Sequence, residues 1–448
     1  MTSARKTPSI PTLVAASSIG TAIEWYDYYI FGTAAALVFG TVFFPHYSAV
    51  AGTLASFATY AVGFVARPIG AAVVGHYGDR LGRKSMLVLT LLVTGGSTFL
   101  IGVVPTYAKI GLAAPLLLVL LRLIQGFAVG GEWGGAVLIS SEHASPRRRA
   151  FYGSFAQFGV PLGVLTSNLA FLIVSRLNDD SFTSWGWRIP FLLSAVLVAV
   201  GFVVRRKVDD GREFTELKES EKVSKLPFAD LVKRQPRNLV FGGLAAIAPP
   251  LVGYTVMIYM LTYGTAVVGY NRTTLLTLIL LSTGVWILAI VGCAMLSDRY
   301  DAKAVYVAGV ITAIVWPFPM FALVNSGNTG AACLAFMVAA IVQGIMAGAQ
   351  GGLFTEIFHP EVRYSAISVA YQFGGMVGGA VTPLLATALY DNYHSSTPIV
   401  IYMIIGGFVS LVGVLGLKRI APTRAAAAVP GPRGEAATVV AGKRAIRD

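Results

Sequence analysis

The sequence predicts an all-α membrane protein with twelve transmembrane helices, arranged as two pseudo-symmetric six-helix bundles. Three observations lead to this fold class. The 448 residues are 55% hydrophobic and only 12% charged, whereas soluble proteins carry about 25% charged residues. Apolar segments recur along the chain, and each is close to the roughly 20 residues that a helix needs to cross a bilayer. Residue patterns of the first half also recur in the second half.

The predicted spans are separated by shorter polar segments that hold most of the charges. In order, the spans are 13–40, 50–75, 85–104, 114–141, 151–176, 187–204, 238–263, 273–296, 304–325, 330–355, 365–390 and 397–417. Residues 205–237 form the one long polar stretch between spans. We therefore expect an N-terminal bundle over 1–204, a cytoplasmic linker over 205–237, a C-terminal bundle over 238–420 and a disordered tail over 421–448.

Lysine and arginine concentrate in alternate loops, which predicts that both termini are cytoplasmic. The formal charge of +13 then reports topology and contact with anionic lipid, and does not indicate a nucleic-acid partner. Cys293 and Cys333 both fall in apolar runs. They predict neither a disulfide framework nor a metal site. No small-residue cleavage site follows the first apolar run, so we expect that run to be a retained helix.

The two halves of the sequence repeat each other. Gln125-Gly126 in span 4 recurs as Gln343-Gly344 in span 10, and Gln157-Phe158-Gly159 in span 5 recurs as Gln372-Phe373-Gly374 in span 11. Two repeated bundles with a site between them near the membrane midplane form a transporter architecture. The repeat favours this fold more strongly than it favours any particular activity.

Residues 75–84 carry an aspartate, two arginines and a lysine between two apolar spans. Such a density of charge predicts a short polar loop at a membrane face. Asp79 can pair with the arginines or with a neighbouring helix N-terminus, as a latch that opens and closes. The alternative is an ordinary cytoplasmic loop. The candidate gating residues are Gly75, Gly78, Asp79, Arg80, Gly82, Arg83 and Lys84, with Arg67 from span 2.

Ionisable residues within the spans lie almost entirely in the first half: Glu24, Asp27, Arg67, Arg122 and Glu132. A charge in hydrocarbon costs several kcal/mol unless it faces a cavity or a partner, so these residues predict a functional site. Arg122 offers a planar fork that fits a carboxylate. Asp27, Glu24 and Glu132 are the candidates for carrying a coupled proton. The alternative for Asp27 and Arg122 is a permanent ion pair that only holds helices together, and Arg67 could simply bridge spans.

Polar and aromatic side chains near mid-depth complete the predicted site. Tyrosine hydroxyls and glutamine amides can hydrogen-bond a hydroxylated ligand. The candidate substrate-binding residues are Arg122, Gln125, Tyr26, Tyr28, Trp133, Tyr254, Gln343, Tyr371 and Gln372. No cofactor is expected.

Several motifs resemble those of a known family. Residues 75–84 are similar to the loop 2–3 signature of the major facilitator superfamily. Residues 23–27, 67–70, 125–135 and 185–191 resemble its metabolite:proton symporters, with the pattern most similar to shikimate transporters. The resemblance implies alternating access and proton-coupled uptake of a small organic anion, such as a shikimate-like compound or a di- or tricarboxylate, across the bacterial inner membrane. It implies protons, the anion and the lipid bilayer as partners of a monomer.

Four other functions remain open at this point. Members of the same family carry proline or betaine, but those that sense osmolarity end in a coiled coil, and this tail has no heptads. Residues 159–163 faintly resemble a motif of proton-coupled exporters. A transporter-like receptor would need a larger cytosolic domain than the linker provides. An enzyme is disfavoured, because the sequence contains no phosphate-binding loop, nucleophile elbow or metal-ligand spacing.

Overall fold

A computed structural model describes residues 10–81, 83–130, 149–206, 234–359 and 363–420. One helix corresponds to each predicted span, if helical pieces that adjoin or are separated by one or two residues are counted as one helix. They are α1 (10–43), α2 (Ala49–Leu81), α3 (Arg83–Val103), α4 (Ala113–Val129), α5 (Arg149–Val174), α6 (179–206), α7 (Pro236–Val268), α8 (Arg272–Arg299), α9 (302–325), α10 (Thr329–Ile357), α11 (363–393) and α12 (Thr397–Gly416). This architecture confirms the predicted fold class.

Helix length and apolarity agree with a membrane protein. Within the described residues, seven helices are long and apolar enough to cross a membrane, or nine if each bent pair is counted as one span. The bent pairs are α6, which turns by 43° after Gly186, and α9, which turns by 42° before Pro317. Proline lacks an N–H for the helical hydrogen bond, which explains the second bend. The described part of α4 ends at Val129. Its predicted span continues to 141, but residues 131–148 lie outside the described ranges.

The prediction of a polar loop over 75–84 is wrong for most of that segment. α2 continues to Leu81 and α3 begins at Arg83. A bilayer limits only the apolar part of a helix: 33 residues extend about 50 Å at 1.5 Å per residue, which exceeds the roughly 30 Å hydrocarbon core. The charged last turns of α2 can therefore continue beyond the hydrocarbon. Gly82 and the side chains of this segment lie outside the described residues.

Glycines set the helix contacts of the N-terminal bundle. Gly126 of α4 lies so close to α2 that a Cβ atom there would be 1.9 Å from the carbonyl oxygen of Gly63. Gly159 and Gly163 of α5 also approach α1 closely, since an added Cβ would lie 2.3 Å from Thr21 and 2.7 Å from Trp25. Small residues at such crossings are how membrane helices pack when no hydrophobic effect drives them together.

The C-terminal bundle uses the repeated glycines in the same way. Gly344 of α10 packs on Ala289 of α8, and Gly374 of α11 packs on Ala246 of α7. These glycines are the repeat partners of Gly126 and Gly159. The sequence repeat thus corresponds to a repeated pair of helix–helix contacts.

The two bundles meet where α5 packs against α8 and α10, α2 against α11, and α1 against α7. We call the end of the molecule at which α2 ends and α3 begins the signature face, and the other end the opposite face. Near the signature face, the Phe151 amide donates to Asp298 Oδ2 at 3.0 Å. Towards the opposite face, Thr262 Oγ1 donates to the Ala36 carbonyl at 3.2 Å. Described contacts therefore bridge the bundles on both sides of their centre.

We expect Gly126→Ala to destabilise the protein by about 1–3 kcal/mol or more, because its methyl group would collide with the α2 backbone. The matched control is Gly96→Ala in α3, where an added Cβ meets nothing within 4 Å. Thermal unfolding of the detergent-purified variants checks this. Equal midpoints for the two variants would show that the α2–α4 contact is not tight.

Candidate functional site

Two buried arginines meet over the ring of Tyr28 in α1. The guanidinium carbon of Arg67, from α2, lies 3.8 Å from the ring centroid, and that of Arg122, from α4, lies 4.2 Å from it. Arg67 is 2% exposed and Arg122 is 0% exposed. Contact with a ring face stabilises a desolvated cation by about 2 kcal/mol. Tyr28 is therefore the centre of the charged site.

The backbone of α2 makes room for this arrangement. An added Cβ at Gly63 would lie 2.7 Å from Arg122 Nε, so only glycine lets the side chain of Arg122 cross α2 here. Tyr60, Phe64 and Arg67 follow on one face of α2, since residues spaced by three or four positions share a helix face. Tyr60 and Phe64 each lie under one of the two guanidinium groups, at 4.8 and 4.3 Å.

Both arginines donate hydrogen bonds but keep one nitrogen unused. Arg122 Nη1 donates to Gln125 Oε1, and Gln125 Nε2 donates onward to the Thr98 hydroxyl at 2.8 Å. Arg67 Nε donates to the Tyr28 hydroxyl at 2.9 Å, and its Nη1 donates to Gln372 Oε1 at 3.2 Å. The Nη2 atom of each arginine is buried and makes no hydrogen bond to the described residues. Gln372 belongs to α11, so Arg67 joins the two bundles at the site.

Tyr254 of α7 closes the cluster from the C-terminal bundle. Its ring stacks on Tyr29 with centroids 5.9 Å apart, and it also contacts the rings of Tyr60 and Phe64. The hydroxyls of Tyr254 and Tyr60 are buried and form no hydrogen bond within the described part of the chain. The site therefore combines unused guanidinium and hydroxyl donors.

Asp27 lies beside this cluster without an ion-pair partner among the described residues. It is 1% exposed, and neither carboxylate oxygen makes a hydrogen bond there. The Thr98 hydroxyl and the charged groups of Arg122 and Glu24 lie near it. The alternative of a permanent Asp27–Arg122 ion pair therefore has no direct contact to support it.

The remaining predicted residues fall into three groups. Tyr371 lies close to Tyr254, and Gln343 packs against the neighbouring Gly253, so both are near the cluster. Tyr26 instead donates its hydroxyl to the Pro190 carbonyl of α6 at 2.6 Å, which is a contact within the N-terminal bundle. Several side chains lie outside the described part of the chain, namely those of Asp79, Arg80, Arg83, Lys84, Glu132 and Trp133.

Sequence reasoning missed three residues of the cluster and placed one differently. Tyr60 and Phe64 could have been found, because they lie seven and three positions before Arg67, respectively, on the same face of α2. Thr98 carries no such signal. At about 1.5 Å per residue along each helix, the sequence predicts that Arg67 lies nearer the cytoplasm than Arg122, yet both reach the same ring. Counting residues along a helix locates the Cα atom but not the end of a long side chain.

Comparison with known proteins identifies the family. Residues 15–371 match the family described as Major Facilitator Superfamily, as do residues 280–447. The chain belongs to the major facilitator superfamily. It is 41% identical over 389 residues to the inner membrane metabolite transport protein YhjE of Escherichia coli (strain K12), covering 85% of this chain and 88% of that protein. It is 40% identical over 410 residues to the shikimate transporter of the same organism, covering 90% and 93%.

A solved structure agrees with this assignment at the level of fold. The D-xylose-proton symporter superposes with a TM-score of 0.72 at 17% sequence identity, over 93% of this chain and 98% of that one. Because the curated relatives are transport proteins and not enzymes, this chain is a metabolite transporter of the superfamily. The resemblance stated from its motifs is confirmed.

We expect Tyr28→Phe to destabilise this transporter by about 1–3 kcal/mol, because it leaves a buried arginine donor without its acceptor. The ring on which both arginines rest is kept. The control is Tyr60→Phe, which removes a buried hydroxyl that has no hydrogen bond in the described structure. Thermal unfolding in detergent measures both. A Tyr60→Phe variant that is as destabilised as Tyr28→Phe would contradict the importance of the Arg67–Tyr28 bond.

Proposed function

We propose that this transporter takes up a small organic anion together with protons, by alternating access. The observation that carries the proposal is the pair of buried arginines over Tyr28, each with an unused Nη2 donor. The salt bridges among the described residues include neither Arg67 nor Arg122. A carboxylate substrate would supply the missing partner, through charge-assisted hydrogen bonds that are stronger than neutral ones.

A shikimate-like anion, or a di- or tricarboxylate, fits this site best. The guanidinium groups would hold the carboxylate, and the free hydroxyls of Tyr60 and Tyr254 would bind hydroxyl groups of the ligand. The 40% identity to a shikimate transporter supports the same class of substrate. In this proposal, the side chains that line the site around the guanidinium groups and the tyrosine hydroxyls are those of Gln125, Gln343, Tyr371 and Gln372.

A zwitterionic osmolyte such as proline or betaine is less well supported. A quaternary ammonium group is recognised by open aromatic faces, but two guanidinium groups already lie over the Tyr28 ring. Those groups would repel a further cation. The site therefore favours a ligand with net negative charge.

The way in which the bundles are joined supports alternating access. The Arg67–Gln372 hydrogen bond links α2 to α11 at the site itself. A substrate that takes Arg67 as its partner competes with Gln372, so binding would change a contact between the bundles. In this proposal the signature face is the cytoplasmic face of the inner membrane, both termini are cytoplasmic, and residues 75–84 gate that face with Asp79 as the latch. The protein would act as a monomer.

Proton coupling is assigned to Asp27. Arg122 lies near the buried Asp27, and a nearby cation favours the ionised form of a carboxylate. When a substrate carboxylate occupies Arg122, that stabilisation is lost and Asp27 takes up a proton. When the substrate leaves, Arg122 again stabilises the Asp27 carboxylate, and Asp27 releases the proton. Glu24 and Glu132 are the competing candidates.

We expect Arg122→Ala to lose anion binding by about ten- to a hundredfold, since a lost hydrogen bond to a charged group is worth roughly 1.5–3 kcal/mol. Arg122→Lys should keep transport with weaker affinity. The measurement is binding of labelled shikimate and a panel of carboxylates to purified protein. Arg176→Ala, at an exposed arginine of the same bundle, is the control. Unchanged binding by a folded Arg122→Ala variant would refute the role of Arg122.

We expect Asp27→Asn to uncouple transport instead of merely weakening binding. The variant should exchange labelled for unlabelled substrate across a proteoliposome membrane, yet fail to accumulate it against a gradient. Substrate-driven proton uptake is then compared for Asp27→Asn, Glu24→Gln and Glu132→Gln. If Asp27→Asn still moves protons with substrate and Glu132→Gln does not, the coupling proton belongs to Glu132.

A further inference from the structure

A cavity lies between the bundles on the opposite face, away from the arginine cluster. Its volume is about 590 Å³, within the range of small-molecule sites. It is lined by the end of α1, the connection between α5 and α6, the end of α7 and the start of α8. Residues of both bundles contribute, among them Ala36, Ser175, Asp179, Thr265, Tyr270 and Arg272.

Arg272 of α8 crosses this cavity to hold the N-terminal bundle. Its Nη2 atom lies 3.3 Å from Asp179 Oδ1 and donates to the Ser175 carbonyl at 3.4 Å. Its guanidinium carbon also lies 4.0 Å from the centroid of the Phe182 ring. All three contacts are with the other bundle. Arg272 is therefore a bridge between the two bundles on this face.

The bridge leaves hydrogen-bond donors unused. Arg272 Nε is buried and makes no hydrogen bond to a described residue. The same is true of the Ser175 hydroxyl, on a residue that is only 7% exposed and that lines the cavity. Other polar groups of the lining are already engaged: the Tyr270 hydroxyl donates to the Val324 carbonyl, and the Asn271 side chain accepts from the Thr273 amide.

The hold of Asp179 on Arg272 is weak. The Asp179 side chain is 93% exposed, and ion pairs in contact with water contribute only about 0–1 kcal/mol. A small anion that enters the cavity can therefore replace Asp179, and it gains the Arg272 Nε and Ser175 hydroxyl donors that Asp179 does not use. Replacement also removes one of the contacts that keep the bundles together on this face.

We propose that this cavity is a vestibule site for a small organic anion, which pairs with Arg272, displaces Asp179 and loosens the closure of the opposite face. The ligand class rests on the proposed function, and the site itself is separate from the arginine cluster. A cation at the mouth of a cleft also raises the local concentration of anions and their rate of entry.

The test measures how the cavity discriminates between charged thiol reagents. In a chain with Cys293→Ser and Cys333→Ser, the reporter Thr265→Cys is placed in the cavity lining. Its labelling rate is measured with the anionic reagent sulfonatoethyl methanethiosulfonate and with its cationic trimethylammonium counterpart, each relative to a free thiol. The anionic reagent is the probe of the site, so neither transport nor a known substrate is needed.

We expect the anion-to-cation rate ratio to fall about tenfold with Arg272→Gln, the lower end of the range for electrostatic steering. It should be kept by Arg272→Lys and by the control Arg176→Gln, which removes an exposed arginine outside the cavity lining. Asp179→Asn should raise the ratio, and it serves as the test if Arg272→Gln does not fold. The vestibule site is overturned if both Arg272→Gln and Asp179→Asn leave the rate ratio unchanged. It is also overturned if Arg176→Gln lowers the ratio as much as Arg272→Gln does.

The two proposals can fail independently. Anion binding that survives Arg122→Ala would overturn the role of the central cluster and leave the reagent result standing. A reagent ratio that is independent of Arg272 would overturn the vestibule and leave the Arg122 result standing.

Discussion

Burial of two guanidinium groups in an apolar bundle is the constraint on which the rest of this structure depends. An unpaired charge in such surroundings is very costly unless it is hydrogen-bonded and compensated. Here the compensation comes from aromatic faces and neutral oxygens, because the described residues supply no carboxylate in direct contact with either arginine. In the proposed function, an anion completes this site, and its binding and release act on these two guanidinium groups.

The fold is symmetric in its packing and asymmetric in its chemistry. Repeated glycines bring α2 onto α4 and α8 onto α10 through equivalent close approaches. The charges of the central arginine cluster, however, lie in the N-terminal bundle, and the C-terminal bundle contributes neutral partners to it. Gln157 and Gln372 illustrate the relation: they are equivalent in the repeat, and both hydrogen-bond across the bundles, to Gln350 and Arg67. The N-terminal bundle thus holds the charged groups of the central cluster, and the two repeat-related glutamines form hydrogen bonds that join the N-terminal bundle to the C-terminal bundle.

Where sequence reasoning and structure differ, the reason is side-chain reach or helix length. Tyr26 and Tyr28 are both tyrosines of α1 and look alike in the sequence. The Tyr26 hydroxyl, however, donates to a carbonyl of α6, whereas both arginines lie over the ring of Tyr28. Two tyrosines two positions apart point to different sides of a helix, and hydropathy cannot say which side faces the site. The prediction of a loop over 75–84 was wrong for most of that segment, for a related reason. Charge density reports where a helix leaves the hydrocarbon and does not report where it ends.

The sequence by itself determined the twelve spans, the repeat and the restriction of buried charge to the first half. These are local properties, since each follows from the composition of a segment about 20 residues long. The tertiary structure alone decided which of those residues meet. Arg67 and Gln372 are 305 positions apart, and Arg272 reaches Asp179 only because α8 packs beside α5. Contacts of that kind depend on how whole helices cross. Glycines permit the close approach at each crossing, but the sequence does not indicate which helix a given glycine will contact.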